Sequence, residues 1–165
     1  MSRNIVLTGF MATGKSTVGA ILAEKLGRVF YDVDTAIEHR TNLTIASIFA
    51  TYGESFFRAI EKGICHETCL QKNLVIATGG GAILDEDSRQ AFLQTSFLVC
   101  LNTTPDLIES RLQASDARPL ATGWRDRLAT RLPIYQSIPN QVDTGDKSPE
   151  QVAEEILRLW QNESK

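Results

Sequence analysis

Residues Gly9 to Ser16 read G-F-M-A-T-G-K-S and fit the spacing G-x-x-x-x-G-K-[ST]. Such a loop cradles phosphate when a strand precedes it and a helix follows. Its backbone N–H groups and the positive end of the helix dipole then converge on phosphate oxygens. Both flanks have the required character: Asn4 to Thr8 is a short apolar run of strand type, and Thr17 to Leu26 is helix-forming. In this setting Lys15 suits the β- and γ-phosphates and the Ser16 hydroxyl suits Mg²⁺. The expected nucleotide-contacting stretch is Ala12, Thr13, Gly14, Lys15, Ser16 and Thr17.

A phosphate loop implies nucleotide binding without choosing a reaction. Asp32 and Asp34 follow a second strand, Arg28 to Tyr31. In an open parallel sheet the C-terminal strand ends face the ligand crevice, so this pair should face the phosphates. One carboxylate would hold Mg²⁺ through water, and the other would take the proton of an acceptor hydroxyl. The alternative is structural, with Asp34 capping the helix that follows. Thr78-Gly79-Gly80-Gly81 also follows a strand. Consecutive glycines are entropically costly, so they signal either close approach of a ligand to bare backbone or a sharp turn. Arg58 and Arg131 have the chemistry to hold an acid, but a solvated helix surface is their default reading. Arg111 and Arg118 flank a polar segment suited to a lid over phosphates.

These groups need a frame. Strand-like and helix-like stretches alternate along the chain, the pattern of an α/β domain with a mainly parallel sheet. Helices are expected over Thr35–Arg40, Thr44–Ala50, about Glu54–Gln71 and Asp85–Gln94. Another begins at Thr104-Pro105, and one over Trp124–Tyr135 breaks near Pro133. A closing helix over Pro149–Trp160 is capped by Ser148. Further strands are expected over Asn73–Ala77, Ser96–Leu101 and Gln141-Val142. No repeat or linker interrupts the 165 residues, so they are read as one domain, 1–165.

Composition sets limits. The net charge of −3 lacks the basic excess of a general nucleic-acid surface, so an anionic substrate must be held by local positive charge. No apolar run is long enough to span a membrane, and a strand starting at residue 4 leaves no room for a signal peptide. The expectation is a cytoplasmic monomer. Cys65, Cys69 and Cys100 are read as reduced thiols. The Cys65-His66…Cys69 turn offers too few ligands for a metal, and packing thiols are the stronger reading.

Taken together and in order, these motifs resemble the shikimate kinase family over nearly the whole chain. The shared pattern is the phosphate loop, Phe30 to Asp34, Ile48-Phe49, Gly53-Glu54, Phe57-Arg58 with Glu61, Gly79 to Ala82, Arg118-Pro119-Leu120, and Arg131 with Pro133 and Tyr135. The resemblance implies a three-layer fold in the nucleoside monophosphate kinase style, with a five-stranded parallel sheet of order 2-3-1-4-5. It implies a shikimate-binding helical region over about residues 33–61 and a lid over about 112–124. The implied reaction is transfer of the ATP γ-phosphate to the 3-hydroxyl of shikimate, in aromatic amino-acid biosynthesis. Lys15, Asp34 and Arg118 would be catalytic, with Asp34 as base, and Ser16 and Asp32 would serve Mg²⁺. Arg58, Arg131 and the glycines 79–81, Gly80 above all, would hold shikimate. Arg111, Pro149 and Lys147 would lie at the adenine.

Ala12 departs from the family's further glycine, and it must adopt a negative φ or accept strain. Two alternatives stay open: a related kinase for another hydroxy acid such as gluconate, and a catalytically silent nucleotide-binding regulator. Retention of Lys15, Asp34 and Arg58 argues against the second.

Overall fold

The computed structural model describes residues 3–114 and 122–163. Its elements run β1 (Asn4–Thr8), α1 (Lys15–Leu26), β2 (Val29–Asp32), α2 (Val33–Thr41) and α3 (Ile45–Cys69). Then follow β3 (Leu74–Ala77), a 3₁₀ turn (Ala82–Leu84), α4 (Glu86–Thr95) and β4 (Ser96–Asn102). The last are α5 (Pro105–Gln113), α6 (Trp124–Gln136), β5 (Asn140–Asp143) and α7 (Pro149–Glu163). The sheet order is β2-β3-β1-β4-β5 with all pairings parallel, as expected.

Parallel strands need crossovers, and these helices cover both faces of the sheet. Alternation along β1 divides the core accordingly. Ile5 and Leu7 pack with Val18 and Leu22 of α1 and Ile156 and Trp160 of α7. Val6 points the other way, to Ile37, Ile64, Phe92 and Tyr135. Asn4 is buried yet satisfied: its amide donates to the Thr68 and Gln71 carbonyls, and its oxygen accepts from the Leu74 N–H.

Three local expectations are corrected and one is kept. Helix α2 starts at Val33 because Asp32, not Asp34, caps it, accepting from the Thr35 N–H at 3.1 Å. That leaves the Asp34 side chain in the first turn, clear of the capping position. The expected division between the helices Thr44–Ala50 and Glu54–Gln71 stands within α3: Gly53, whose φ of 80° and ψ of 174° no helix allows, separates two helical segments across a kink. Helix α6 does not break at Pro133. It runs to Gln136, where the Ser137 N–H closes the last turn on the Pro133 and Ile134 carbonyls. Helix α7 continues beyond Trp160 to Glu163.

No described helix is long and apolar enough to cross a membrane. Cys65 and Cys100 are core residues: burial pushes the Cys65 thiol far above its usual range and Cys100 up to about 12, although Lys15 pulls Cys100 down. Both are therefore packed thiols rather than thiolates.

Candidate active site

A cavity of about 1160 Å³ lies across the C-terminal ends of β1, β2 and β3. Every described residue singled out for a site lines it: Ala12 to Thr17, Asp32, Asp34, Arg58, Gly79 to Gly81, Arg111, Arg131, Lys147 and Pro149. Arg118 and most of the expected lid lie outside the described residues. Within the span expected for the lid, residues 112–113 belong to α5 and Trp124 opens α6.

One end of the cavity is the loop from Gly9 to Gly14. Gly9 has a φ of 133°, and a Cβ there would run into the Leu101 carbonyl. Only glycine fits so close a crossing. Gly14, at φ 90°, opens α1 without a side-chain cap, so the first-turn N–H groups face the cavity. Ala12 has taken the strained option, with a φ of 61°. An L-residue in this region costs about 1–2 kcal/mol. The carbonyl of Ala12 accepts from Arg111 Nη1 at 2.9 Å, and Arg111 Nη2 reaches the Thr144 carbonyl. Lys15 Nζ folds back onto the Gly9 and Phe10 carbonyls at 2.9 and 2.7 Å. Ser16 Oγ donates to Asp32 Oδ2 at 2.7 Å. These two oxygens, at the exposed mouth of the loop, are the hard donors a magnesium ion takes. Lys147 is tied to Glu155 at 2.6 Å, beside Pro149 at the start of α7.

The other end is made of side chains brought together from α2, α3, α6 and the turn after β3. Arg58 donates to Glu61 Oε2 at 2.5 Å and sits 3.4 Å from Glu54 Oε1. The guanidinium also lies over the Phe57 ring. Burial alone would lower the Arg58 pKa, but Glu61 and Glu54 hold it above its ordinary value. Glu61 is 2% exposed, and its Oε1 makes no hydrogen bond among the described residues. Burial raises its pKa, outweighing the Arg58 cation that pulls it down.

The three glycines explain themselves here. A Cβ on Gly79 would lie 2.6 Å from Glu61 Oε1 and 3.1 Å from Asp34 Oδ1. A Cβ on Gly81 would occupy the space of the Arg58 guanidinium. The bare backbone admits the site's own charged side chains, a role not anticipated from sequence. Gly80 contributes differently: its carbonyl accepts from Tyr135 Oη at 2.5 Å. Burial raises the Tyr135 pKa, opposed by the neighbouring Arg131. Glu61 and Tyr135 belong to the family pattern, and the sequence by itself assigns neither a job. The three-residue spacing from Arg58 to Glu61 was the available signal, since it stacks them on one helix face.

This geometry can hold a polyphosphate at one end and a small anionic, hydroxylated acceptor at the other, with Asp34 nearby. Comparison with known proteins agrees. The family model described as shikimate kinase matches residues 11–161. The shikimate kinase of Thermodesulfovibrio yellowstonii is 38% identical over 165 residues, covering 96% of this chain and 95% of that protein. The structure of shikimate kinase from Acinetobacter baumannii in complex with shikimate superposes with a TM-score of 0.92 at 38% identity, covering 98% of this chain and 94% of that one. A gluconokinase from Sinorhizobium meliloti shares the fold alone, at a TM-score of 0.61 and 16% identity. With a family match over residues 11–161 and a 38% identical relative covering 96% of the chain, this chain belongs to the shikimate kinase family.

Proposed function

We propose that this chain transfers the γ-phosphoryl group of ATP to the 3-hydroxyl of shikimate, giving shikimate 3-phosphate and ADP. The observation that carries the reading is the juxtaposition at Gly79. Two carboxylates, Asp34 and Glu61, close over that glycine, with the Arg58 guanidinium over Gly81, in the cavity that also contains the phosphate loop.

The residues divide the work by charge. The N–H groups of Ala12 to Thr17 and the Lys15 ammonium hold the β- and γ-phosphates, Lys15 exchanging its loop carbonyls for phosphate oxygens. Arg111 and Pro149 hold the adenine, with Lys147 beside it. Arg58 and Arg131 hold the shikimate carboxylate, because guanidinium forks match carboxylates in geometry and charge. Glu61 keeps the Arg58 fork oriented. The Gly80 backbone supports the ring. Asp34 accepts a hydrogen bond from the 3-hydroxyl and takes its proton as the new O–P bond forms and the bond to the β-phosphate bridging oxygen breaks. Arg118 stabilises the phosphoryl charge. Ser16 and Asp32 would hold Mg²⁺, which when bound neutralises phosphate charge and orients the donor.

The test is ADP release with shikimate, gluconate and nucleoside monophosphates offered separately. Turnover with shikimate alone is expected. Turnover with gluconate and none with shikimate would replace this reading, and ATP binding without any acceptor-dependent turnover would favour a silent regulator.

A further inference from the structure

Helix α6 carries three arginines along its first two turns, and they have different surroundings. Arg125 is exposed; it lies over the Trp124 ring and pairs with Glu109 at 2.6 Å. Arg127 and Arg131 instead line the cavity. They are four residues apart, about 6 Å along the helix axis, and so project from one face.

That face is fixed at both ends. Trp124 and Tyr135 lie on it too, three residues before Arg127 and four after Arg131. Both are buried, and each ring packs 6.4 Å from the ring of Phe10. Phe10 belongs to the phosphate loop, and its carbonyl holds Lys15 Nζ. The stretch of α6 between the two aromatic anchors is thereby pressed over the junction of the donor and acceptor ends. Arg127 is half-buried there, with Nε out of solvent.

We infer that Arg127 is a ligand-contacting residue whose guanidinium takes an oxyanion of the reactants, alongside Arg131. The inference rests on the kinase reading above and adds to it a residue that neither the motifs nor the family resemblance singled out. The reactants offer two oxyanions to such a group: the phosphoryl oxygens and the acceptor carboxylate. Phosphoryl transfer spreads negative charge over the equatorial oxygens, where a guanidinium is most effective. A carboxylate would use the same fork in the ground state.

The experiment compares Arg127→Leu, which keeps the apolar stem, with Arg127→Lys, which keeps the charge. Steady-state kinetics with ATP and shikimate, ADP binding by calorimetry and the melting temperature are measured on both and on the wild type. Arg127→Leu is expected to lose at least about tenfold in one arm, with Arg127→Lys recovering part of it and the melting temperature within about 2 °C of wild type. A fall in kcat, or in ADP affinity, assigns the phosphoryl oxygens. A rise in KM for shikimate at constant kcat assigns the carboxylate. Unchanged kinetics and binding, or a loss that follows the melting temperature and is not relieved by lysine, overturns the inference. Wild-type activity separates the two proposals: if the wild type uses gluconate instead, the acceptor assignment fails while the same arms, run with gluconate, still judge Arg127.

Discussion

The two ends of the cavity hold anions by different means. The phosphate side of the donor end is one contiguous stretch of backbone, shaped by two left-handed glycines and a left-handed alanine, with the Lys15 ammonium stored on loop carbonyls. The acceptor end is an assembly of charged side chains from separate elements, packed against bare glycines and including a carboxylate almost wholly removed from water. Backbone amides attract phosphate whatever their side chains are, so the donor end tolerates substitution as long as its dihedral angles survive. The acceptor end has no such reserve. Its recognition lies in a few atoms whose places are set by contact, and a single methyl group can disturb them.

That contrast can be broken, and the severest trial is Asp34→Asn. It should lower kcat by about 10²–10⁴-fold while leaving ATP affinity within about twofold, because the proposed mechanism puts the carboxylate at the acceptor hydroxyl. An unchanged rate would remove Asp34 as the base. Next is Arg58→Ala combined with Glu61→Gln, so that no buried carboxylate is stranded. The double variant should raise KM for shikimate by about 10–100-fold with little change for ATP. Equal losses on both substrates would mean that the ends are not separate. A smaller effect is expected of Gly79→Ala, whose methyl group meets Glu61 and Asp34. It should raise KM for shikimate about tenfold with ADP affinity intact; calorimetry showing weakened ADP instead would contradict the division.

Ala12→Gly tests the donor end and should have the mildest outcome. Relief of the left-handed strain, less the entropy of the added glycine, should raise the melting temperature by about 1–4 °C. Kinetic constants should not move. A fall in stability would show that Ala12 is not strained at a φ of 61°.

The same contrast governs what could be read from the chain beforehand. Gly9 to Ser16 declares itself because its residues are neighbours in sequence and its flanking elements are local. The strand order was legible through the family resemblance, and the alternation of elements through periodicity. Helix details were less so. Asp34 looks like the cap in sequence; only the actual start of α2 at Val33 gives that place to Asp32. Pro133 looks like a helix breaker, yet its missing N–H withdraws only the one bond to the Ala129 carbonyl, and the turn beyond it closes through the Ser137 N–H. The reason for the glycines at 79 and 81 was out of reach, because Asp34, Glu61 and Arg58 come to them from α2 and α3 through tertiary packing. Arg127 was passed over for a related reason: without Phe10 as a reference, its face of α6 cannot be told from that of Arg125.

The central position of β1 has a consequence for how the molecule is made. It is made before both of its partners, β3 and β4, with Ile5 opposite Val75 on one side and Phe97 on the other. At synthesis rates of about 5–20 residues per second, β4 is complete roughly 5–20 s after β1 emerges. Both edges of this apolar strand lack a partner until β3 is made, one edge lacks its partner until β4 is made, and loop closure over such separations is slow. Nascent chains of this protein should therefore depend on holding chaperones up to the completion of β4, and far less beyond it.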